Sequence, residues 1–214
     1  MPLLALVIPV KVLAPAWTLL GIASSATILG GDRAHVDKRA FALFLPWCIL
    51  GIGAGLYLFT ALDAATLARA LGALVLAYAG YMMWLIAHPE ARDPLPASAV
   101  RPASGVLSGV VGTMFGAMAS IFFAMYLDAC ALDKRAFRAT ISAMLLALSL
   151  IRLVAYAAVG ELSAEALVLF AAALPAMGLG IYLGGRIHAR MSEALFKAVV
   201  CAILVICAIS LLLR

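Results

Sequence analysis

Residues 103–127 read ASGVLSGVVGTMFGAMASIFFAMYL, an apolar stretch of 25 residues without a charge. About 20 apolar residues suffice for a helix to cross a bilayer. Glycine adopts the backbone angles that a helix break requires, and four glycines lie in the first part, at 105, 109, 112 and 116. Two interpretations follow: a straight span whose glycines pack against a neighbouring helix, or a re-entrant hairpin that breaks between Gly112 and Ser120 and returns.

The distribution of Lys and Arg favours the hairpin. If 103–127 crosses as a straight helix, the two sides of the membrane carry six and eight of these residues, which gives no orientation. If it returns, one face carries eleven and the other three. Cytoplasmic loops concentrate positive charge, so the face with eleven is predicted to be cytoplasmic. That face holds the loops 30–40, 88–101, 128–138 and 186–197, and the other holds Lys11, Arg69 and Arg214.

The composition is that of a membrane protein. Of the 214 residues 67% are hydrophobic and 12% are charged, whereas soluble domains are about 45–50% apolar and about 25% charged. Backbone groups in lipid must bond within the protein, so the spans are helices. We predict an all-α, multi-pass polytopic bundle of six full spans plus the hairpin, in contact with the lipid bilayer and not with nucleic acid. Hydrophobic segments lie near 5–29, 40–61, 67–87, 103–127, 137–159, 166–185 and 195–213.

Two parts of the chain repeat each other. The pattern Leu-Pro-x3-Leu-Gly-Ile-x2-Gly at 45–55 recurs at 174–184 with an offset of 129. A Pro-rich linker at 89–102 separates a truncated first half, 1–88, from a second half, 103–214. We expect the two patterned helices to superpose and their glycines to face equivalent packing partners, because glycines four residues apart let helices approach closely.

With the hairpin, the two halves are pseudo-symmetric and inverted. The segments 8–30 and 137–159 correspond under the offset and are expected to run in opposite directions. Transporters built in this way bind substrate near the bilayer midplane, between the repeats and at the ends of broken helices. The N-terminus of a half-helix carries about half a positive charge and unpaired N–H groups. A small anion is therefore the expected substrate.

Arg152 is the strongest single candidate for a residue that binds this anion. It lies about fourteen residues into a helix that starts near Arg138, hence near mid-bilayer at 1.5 Å per residue. Intramembrane charges usually face a bundle interior or an aqueous path, and the guanidinium fork fits a sulfonate or carboxylate. A structural Arg bonded to carbonyls is the alternative, and for Arg138 the alternative is a cytoplasmic anchor. The candidate substrate-binding residues are Arg152, Gly112, Thr113, Gly116, Ser120 and Arg138.

No arrangement of residues indicates an enzyme, a metal site or a cofactor. The histidines, at 35, 88 and 188, lie in loops without the spacing of metal ligands. The four cysteines form no C-x-x-C pair, and those in apolar segments are interpreted as small core hydrophobes. Motifs for phosphate binding, zinc proteolysis and serine nucleophiles are missing from the sequence.

A series of motifs follows in order along the second half of the chain. They are Gly105-x3-Gly109-x2-Gly112-x3-Gly116, Lys134 through Thr140, Arg152, Gly160 and Pro175-x2-Gly178-x-Gly180-x3-Gly184 with Arg186. In this order the motifs resemble those of the TauE/SafE sulfite exporter family. Residues 38–83 resemble the later part of the family's first half, whereas the family's opening Gly-rich element has no counterpart in this sequence. The resemblance implies a permease of a prokaryotic inner membrane for a small anion such as sulfite or a sulfonate.

Three functions stay open at the level of sequence. The first is the anion permease, as a single chain or a homo-oligomer. The second is a non-transporting membrane subunit, a half-repeat that needs a partner chain, because the first half is shortened. The third, a membrane enzyme for lipid-linked substrates, would need paired acid and base groups near one interface, and none stands out.

Overall fold

A computed structural model of the chain describes residues 2–87, 96–116 and 118–188. Every regular element in these ranges is helical, as the composition predicted. The predicted last segment, 195–213, lies outside the described residues. The helices are α1 Pro2–Ala5, α2 Val10–Asp32, α3 Lys38–Ala61, α4 Ala64–Ala87, α5 Ala97–Phe115, α6 Ala119–Ala129, α7 Lys134–Ala158 and α8 Ala164–His188, with a 3-10 turn at Arg33–His35.

Four helices of the described part are long and apolar enough to cross a membrane. By length and composition they match the requirement of about 20 apolar residues. Two further apolar helical stretches are shorter. They are Ala119–Ala129 and Ala164–Gly180, the part of α8 whose side chains the structure describes. The described chain is therefore an all-α bundle suited to a membrane. The four long stretches are Val10–Gly30, Lys38–Ala61, Ala64–Tyr81 and Lys134–Ala158.

The stretch 103–127 forms two helices instead of one. α5 ends before Gly116, whose φ of 71° is left-handed, and α6 begins after Met118, whose φ is 68°. Left-handed backbone stops a right-handed helix and suits glycine best. The Gly116 N–H donates to the Gly112 carbonyl at 2.8 Å, which closes the last turn of α5 as a C-cap. The predicted break is confirmed.

The second arm of this hairpin returns to the end of the bundle where the first arm starts. Val100 near the start of α5 and Cys130 just after α6 pack on one apolar cluster that includes Ala40 at the start of α3. The Tyr126 hydroxyl of α6 donates to the Ala40 carbonyl at 3.2 Å. Residues 100 and 130 therefore lie at the same end of the bundle, as the hairpin requires.

Helices α2 and α7 pack side by side in opposite directions. Lys11 near the start of α2 forms an ion pair with Glu161, which lies just beyond the end of α7. At the other end of the bundle, the Asp37 N–H beyond α2 donates to Thr140 Oγ1 near the start of α7, at 2.9 Å. The opposite directions that the repeat predicted for these two segments are thus observed.

α7 begins four residues earlier than expected. The Asp133 carboxylate accepts hydrogen bonds from the Arg135 and Ala136 N–H groups at 2.9 and 2.8 Å, which makes it an N-cap. These bonds, above all the one from Ala136, hold the pKa of Asp133 below its usual value. The predicted start near Arg138 was wrong, because the cap precedes the basic residues. Arg152 accordingly lies about 27 Å along α7, six residues before its end.

Glycines allow α3 and α5 to pack with their backbones close together. A Cβ added to Gly51 would lie 2.9 Å from Gly109 Cα, and one added to Gly55 would lie 2.8 Å from the Val110 carbonyl oxygen. Because the later glycine of α3 meets the later residue of α5, the two helices run in the same direction. Close approach through small residues is a common way for membrane helices to associate.

The second copy of the glycine pattern is packed differently. Gly180 is exposed, and a Cβ added there would meet nothing within 4 Å, whereas Gly51 and Gly55 are buried. The side chains from 181 onward, and with them Gly184, lie outside the described ones. The expectation of equivalent packing faces is wrong for Gly180, because the glycine-rich α5 packs on α3 and no described helix takes that place beside α8.

We predict that Gly51→Ala destabilises the bundle. The added methyl would meet the backbone of α5, which cannot yield as a flexible side chain can, and overpacking of this kind costs roughly 1–3 kcal/mol. Gly53→Ala is the matched control on the same helix, because an added Cβ there has nothing within 4 Å. Thermal unfolding in detergent measures both variants, and equal melting temperatures would contradict the α3–α5 contact.

Candidate functional site

Arg152 of α7 is buried against the hairpin, at 3% exposure. Its Nη1 donates to the Gly112 carbonyl of α5. Its Nη2 donates to Ser149 Oγ at 3.0 Å, and its Nε donates to the Leu148 carbonyl at 3.3 Å. Gly112 lies one turn before the left-handed corner, so the guanidinium lies beside the break, as the sequence predicted.

Arg152 and Tyr156, one turn apart on α7, bond the end of α5. The last carbonyls of a helix have no partner within that helix, and an unbonded carbonyl is strongly unfavourable in a membrane interior. The Gly112 carbonyl already accepts from the Gly116 N–H, and Arg152 adds a second hydrogen bond to it. The Tyr156 hydroxyl donates to the Thr113 carbonyl. The guanidinium charge also lies at the negative end of the α5 dipole, where a cation is stabilising.

The start of α6 lies beside the same guanidinium. A Cβ added to Gly112 would lie 2.7 Å from Arg152 Nη1 and 3.0 Å from Ala119 Cβ, so glycine is needed for the two to converge. Met118 precedes the helix without a side-chain cap. The first N–H groups of α6 therefore have no capping side chain, and the dipole is positive there. A guanidinium next to a helix N-terminus forms a positive region that suits an anion.

The break also holds the other predicted residues of the hairpin. Thr113 is fully buried, and its hydroxyl has no hydrogen-bond partner among the described residues. Ser120, the second residue of α6, is half-buried. Gly116 packs against α2, where an added Cβ would lie 2.7 Å from the Ala14 carbonyl oxygen and 3.2 Å from Trp17 Cβ. Gly112, Thr113, Gly116 and Ser120 thus all lie at the break, where Gly112 contacts Arg152, Gly116 faces α2 and Thr113 Cβ faces Gly55 of α3.

Arg138 is not part of this group. It is exposed on the first turns of α7, fourteen residues before Arg152, which corresponds to about 21 Å along the helix. Its inclusion among the site residues is therefore not supported by geometry. The physical reason is the length of α7, which places the two arginines near opposite ends of the bundle.

Two contacts near the site were not predicted. Tyr156 could have been found, because its spacing of four from Arg152 places both side chains on one face of a helix. Cys48 is buried as expected of a core cysteine, but its Sγ also lies 3.1 Å from Ser108 Oγ on α5. That contact joins two helices that are far apart in sequence, so no local spacing indicates it.

The charged group at the break is a cation, and the described residues around it are neutral. Among the side chains that the structure describes, no group of three or more His, Cys, Asp or Glu comes together to hold a metal ion. An arrangement of guanidinium, hydroxyl and backbone N–H groups can bind and release an anion by hydrogen bonding and charge.

A family model described as Sulfite exporter TauE/SafE matches residues 1–211 of the chain. The match includes the hairpin, α7 and both copies of the Leu-Pro pattern. No curated protein and no solved structure matches the chain.

We predict that Gly116→Ala is more destabilising than Gly160→Ala. Both glycines have a left-handed φ, of 71° and 73°, so alanine costs roughly 1–2 kcal/mol of backbone strain at either position. Only at Gly116 does the new methyl also meet α2, whereas at Gly160 nothing lies within 4 Å. The difference in unfolding free energy measures this packing, and equal losses would show that the corner does not press on α2.

Proposed function

The chain belongs to the TauE/SafE sulfite exporter family, whose members are membrane transporters and not enzymes, and we propose that it is a permease for a small sulfur-containing or organic anion such as sulfite or a sulfonate. The anion binds at the break between α5 and α6. The observation that supports this most directly is the position of the Arg152 guanidinium beside the uncapped start of α6.

Arg152 keeps donors for such a ligand. A guanidinium has five N–H donors, and its bonds to Gly112, Ser149 and Leu148 use three of them. Two donors remain, and the planar guanidinium suits the oxygens of a sulfite or sulfonate. Burial strengthens the attraction, because the local dielectric is lower than in water.

Thr113 and α6 complete the site. The Thr113 hydroxyl is buried and unpartnered among the described residues, and an unbonded buried hydroxyl is costly. An anion at the break would accept a hydrogen bond from it. Ser120 and the first N–H groups of α6 would supply donors from the other side. The anion would thereby satisfy polar groups that the protein alone leaves without partners.

We also propose that the bundle has six full spans and two inverted halves in a prokaryotic inner membrane. The opposite directions of α2 and α7 and the return of α6 support the inversion. The break lies between the halves, since α2 of the first half covers Gly116 and α7 of the second half covers Gly112. The positive-inside rule then places the end that holds Lys134 in the cytoplasm.

Cysteine labelling tests this topology. In a background without the other cysteines, Cys130 and a Ser98→Cys variant should react with a membrane-impermeant maleimide from the same, cytoplasmic side, because both arms of the hairpin end there. Leu162→Cys, in the turn between α7 and α8, should react only from the opposite side. Reaction of Ser98→Cys and Cys130 from opposite sides would mean that 103–127 crosses the membrane.

Flux of radiolabelled sulfite into proteoliposomes of the purified chain tests the site. Arg152→Lys keeps the charge but loses the fork, and we expect about a tenfold loss of apparent affinity. Arg152→Gln loses the charged hydrogen bonds as well, worth about 1.5–3 kcal/mol, so a further loss of roughly the same size is expected.

Arg138→Gln is the control, because Arg138 lies on the same helix far from the break, and its flux should equal that of the wild type. Folded Arg152→Gln protein with undiminished sulfite affinity would show that Arg152 is only a helix cap. Absence of flux in the wild-type chain alone would favour the subunit that needs a partner.

A further inference from the structure

At one end of the bundle, α2 and α7 are joined by an ion pair. Lys11 Nζ and Glu161 Oε1 are 4.0 Å apart, and the two side chains are 31% and 27% exposed. In the proposed topology this end, which holds the start of α2 and the end of α7, faces outward, and we call it the outer end. Ion pairs that are open to water contribute little to stability, so this one can open at small cost.

The ion pair lies at the top of a stack that reaches down to the hairpin. Lys11 Nζ is 6.0 Å from the centroid of the Phe59 ring, within reach of a cation–π contact. The Phe59 and Tyr156 ring centroids are 5.2 Å apart, and the Tyr156 hydroxyl donates to the Thr113 carbonyl. Contacts therefore run without a gap from the outer surface to the site at the break.

Apolar side chains close the space around this stack. Val10 and Leu13 of α2 and Phe115 at the tip of α5 belong to the same buried cluster as Phe59 and Tyr156, and none of the five is more than 3% exposed. The site is thus sealed on its outer side. Separation of α2 and α7 at this end would open a path for an anion and would break the contact between Lys11 and Glu161.

We propose that Lys11 and Glu161 form the outer gate of the permease, and that a sulfur oxyanion leaving or entering the site replaces the Glu161 carboxylate on Lys11. The Glu161 carboxylate is a tethered anion that occupies the place of the oxyanion while the gate is closed. Lys11 suits such an exchange, because an ammonium on a flexible stem binds an anion without a fixed geometry. The proposal rests on the proposed function for the identity of the anion, but not for the existence of the gate.

Labelling of a buried reporter tests the gate without any substrate. In a background with the four native cysteines replaced, Thr113→Cys should react slowly with an impermeant maleimide added outside. Lys11→Gln and Glu161→Gln should each speed the reaction several-fold, because the ion pair that joins α2 to α7 at the outer end is then lost. The double variant Lys11→Glu with Glu161→Lys restores the pair with exchanged charges and should return the rate to the slow value.

Arg69→Gln is the control, since Arg69 is an exposed cation near the start of α4, at the same end of the bundle. Ser120→Cys serves as a second reporter if the Thr113 variant does not fold. Wild-type rates in both single variants, or a rate in the exchanged pair as fast as in the single variants, would overturn the gate.

Sulfite uptake then tests the exchange on Lys11. Lys11→Gln should raise the apparent KM for sulfite offered from outside by about tenfold, while the KM from the cytoplasmic face stays unchanged. Glu161→Gln opens the same gate but keeps the ammonium, so it should not raise the outer KM, and the two variants separate closure from anion capture. An unchanged outer KM in Lys11→Gln would remove Lys11 as an anion ligand. If the wild type carries no sulfite, the proposed function fails, and the labelling result still decides the gate.

Discussion

A carbonyl group at membrane depth must be bonded by the protein, because lipid offers no donor. At the break after α5, the Tyr156 hydroxyl of α7 donates to the Thr113 carbonyl, and Arg152 adds a second hydrogen bond to the Gly112 carbonyl, which also accepts from the Gly116 N–H. The dependence is mutual, since a buried guanidinium is tolerable only where acceptors surround it. The hydrogen bonds between α7 and the end of α5 therefore stabilise both the broken helix and the buried guanidinium.

The same constraint positions the chemistry. Glycines hold the first arm of the hairpin on α3, Gly116 presses its corner on α2, and Arg152 fixes its end to α7. A site with supports on three sides is held in place more accurately than one on a free loop. The hydrogen bonds from α7 to the end of α5 therefore also fix where the donors for an anion would lie. Thr113 is the polar side chain at the break whose hydroxyl has no partner among the described residues.

Sequence reasoning found the features that depend on composition and on single residues. The lengths of the apolar segments predicted the helices. The distribution of Lys and Arg, together with the glycines of the stretch 103–127, predicted the break. Sequence reasoning failed where the packing of a residue depends on a contact between helices that are distant in sequence. Gly180 belongs to the repeated glycine pattern, but no described helix packs closely against it. Sequence reasoning also misplaced the start of α7, although Asp133 before a helical run is a local signal for a cap.

In the proposed division into two halves, the contact between α3 and α5 joins one half to the other. By order along the chain α5 belongs to the second half, yet its backbone meets that of α3, on the other side of the linker 89–102, at Gly51 and Gly55. Rigid-body rocking in inverted-repeat transporters separates one repeat or bundle from the other. Here the dividing line cannot follow chain order, because it would cut through the tightest contact. In the proposed two-half arrangement, relative motion would therefore occur at contacts where side chains rather than backbones meet.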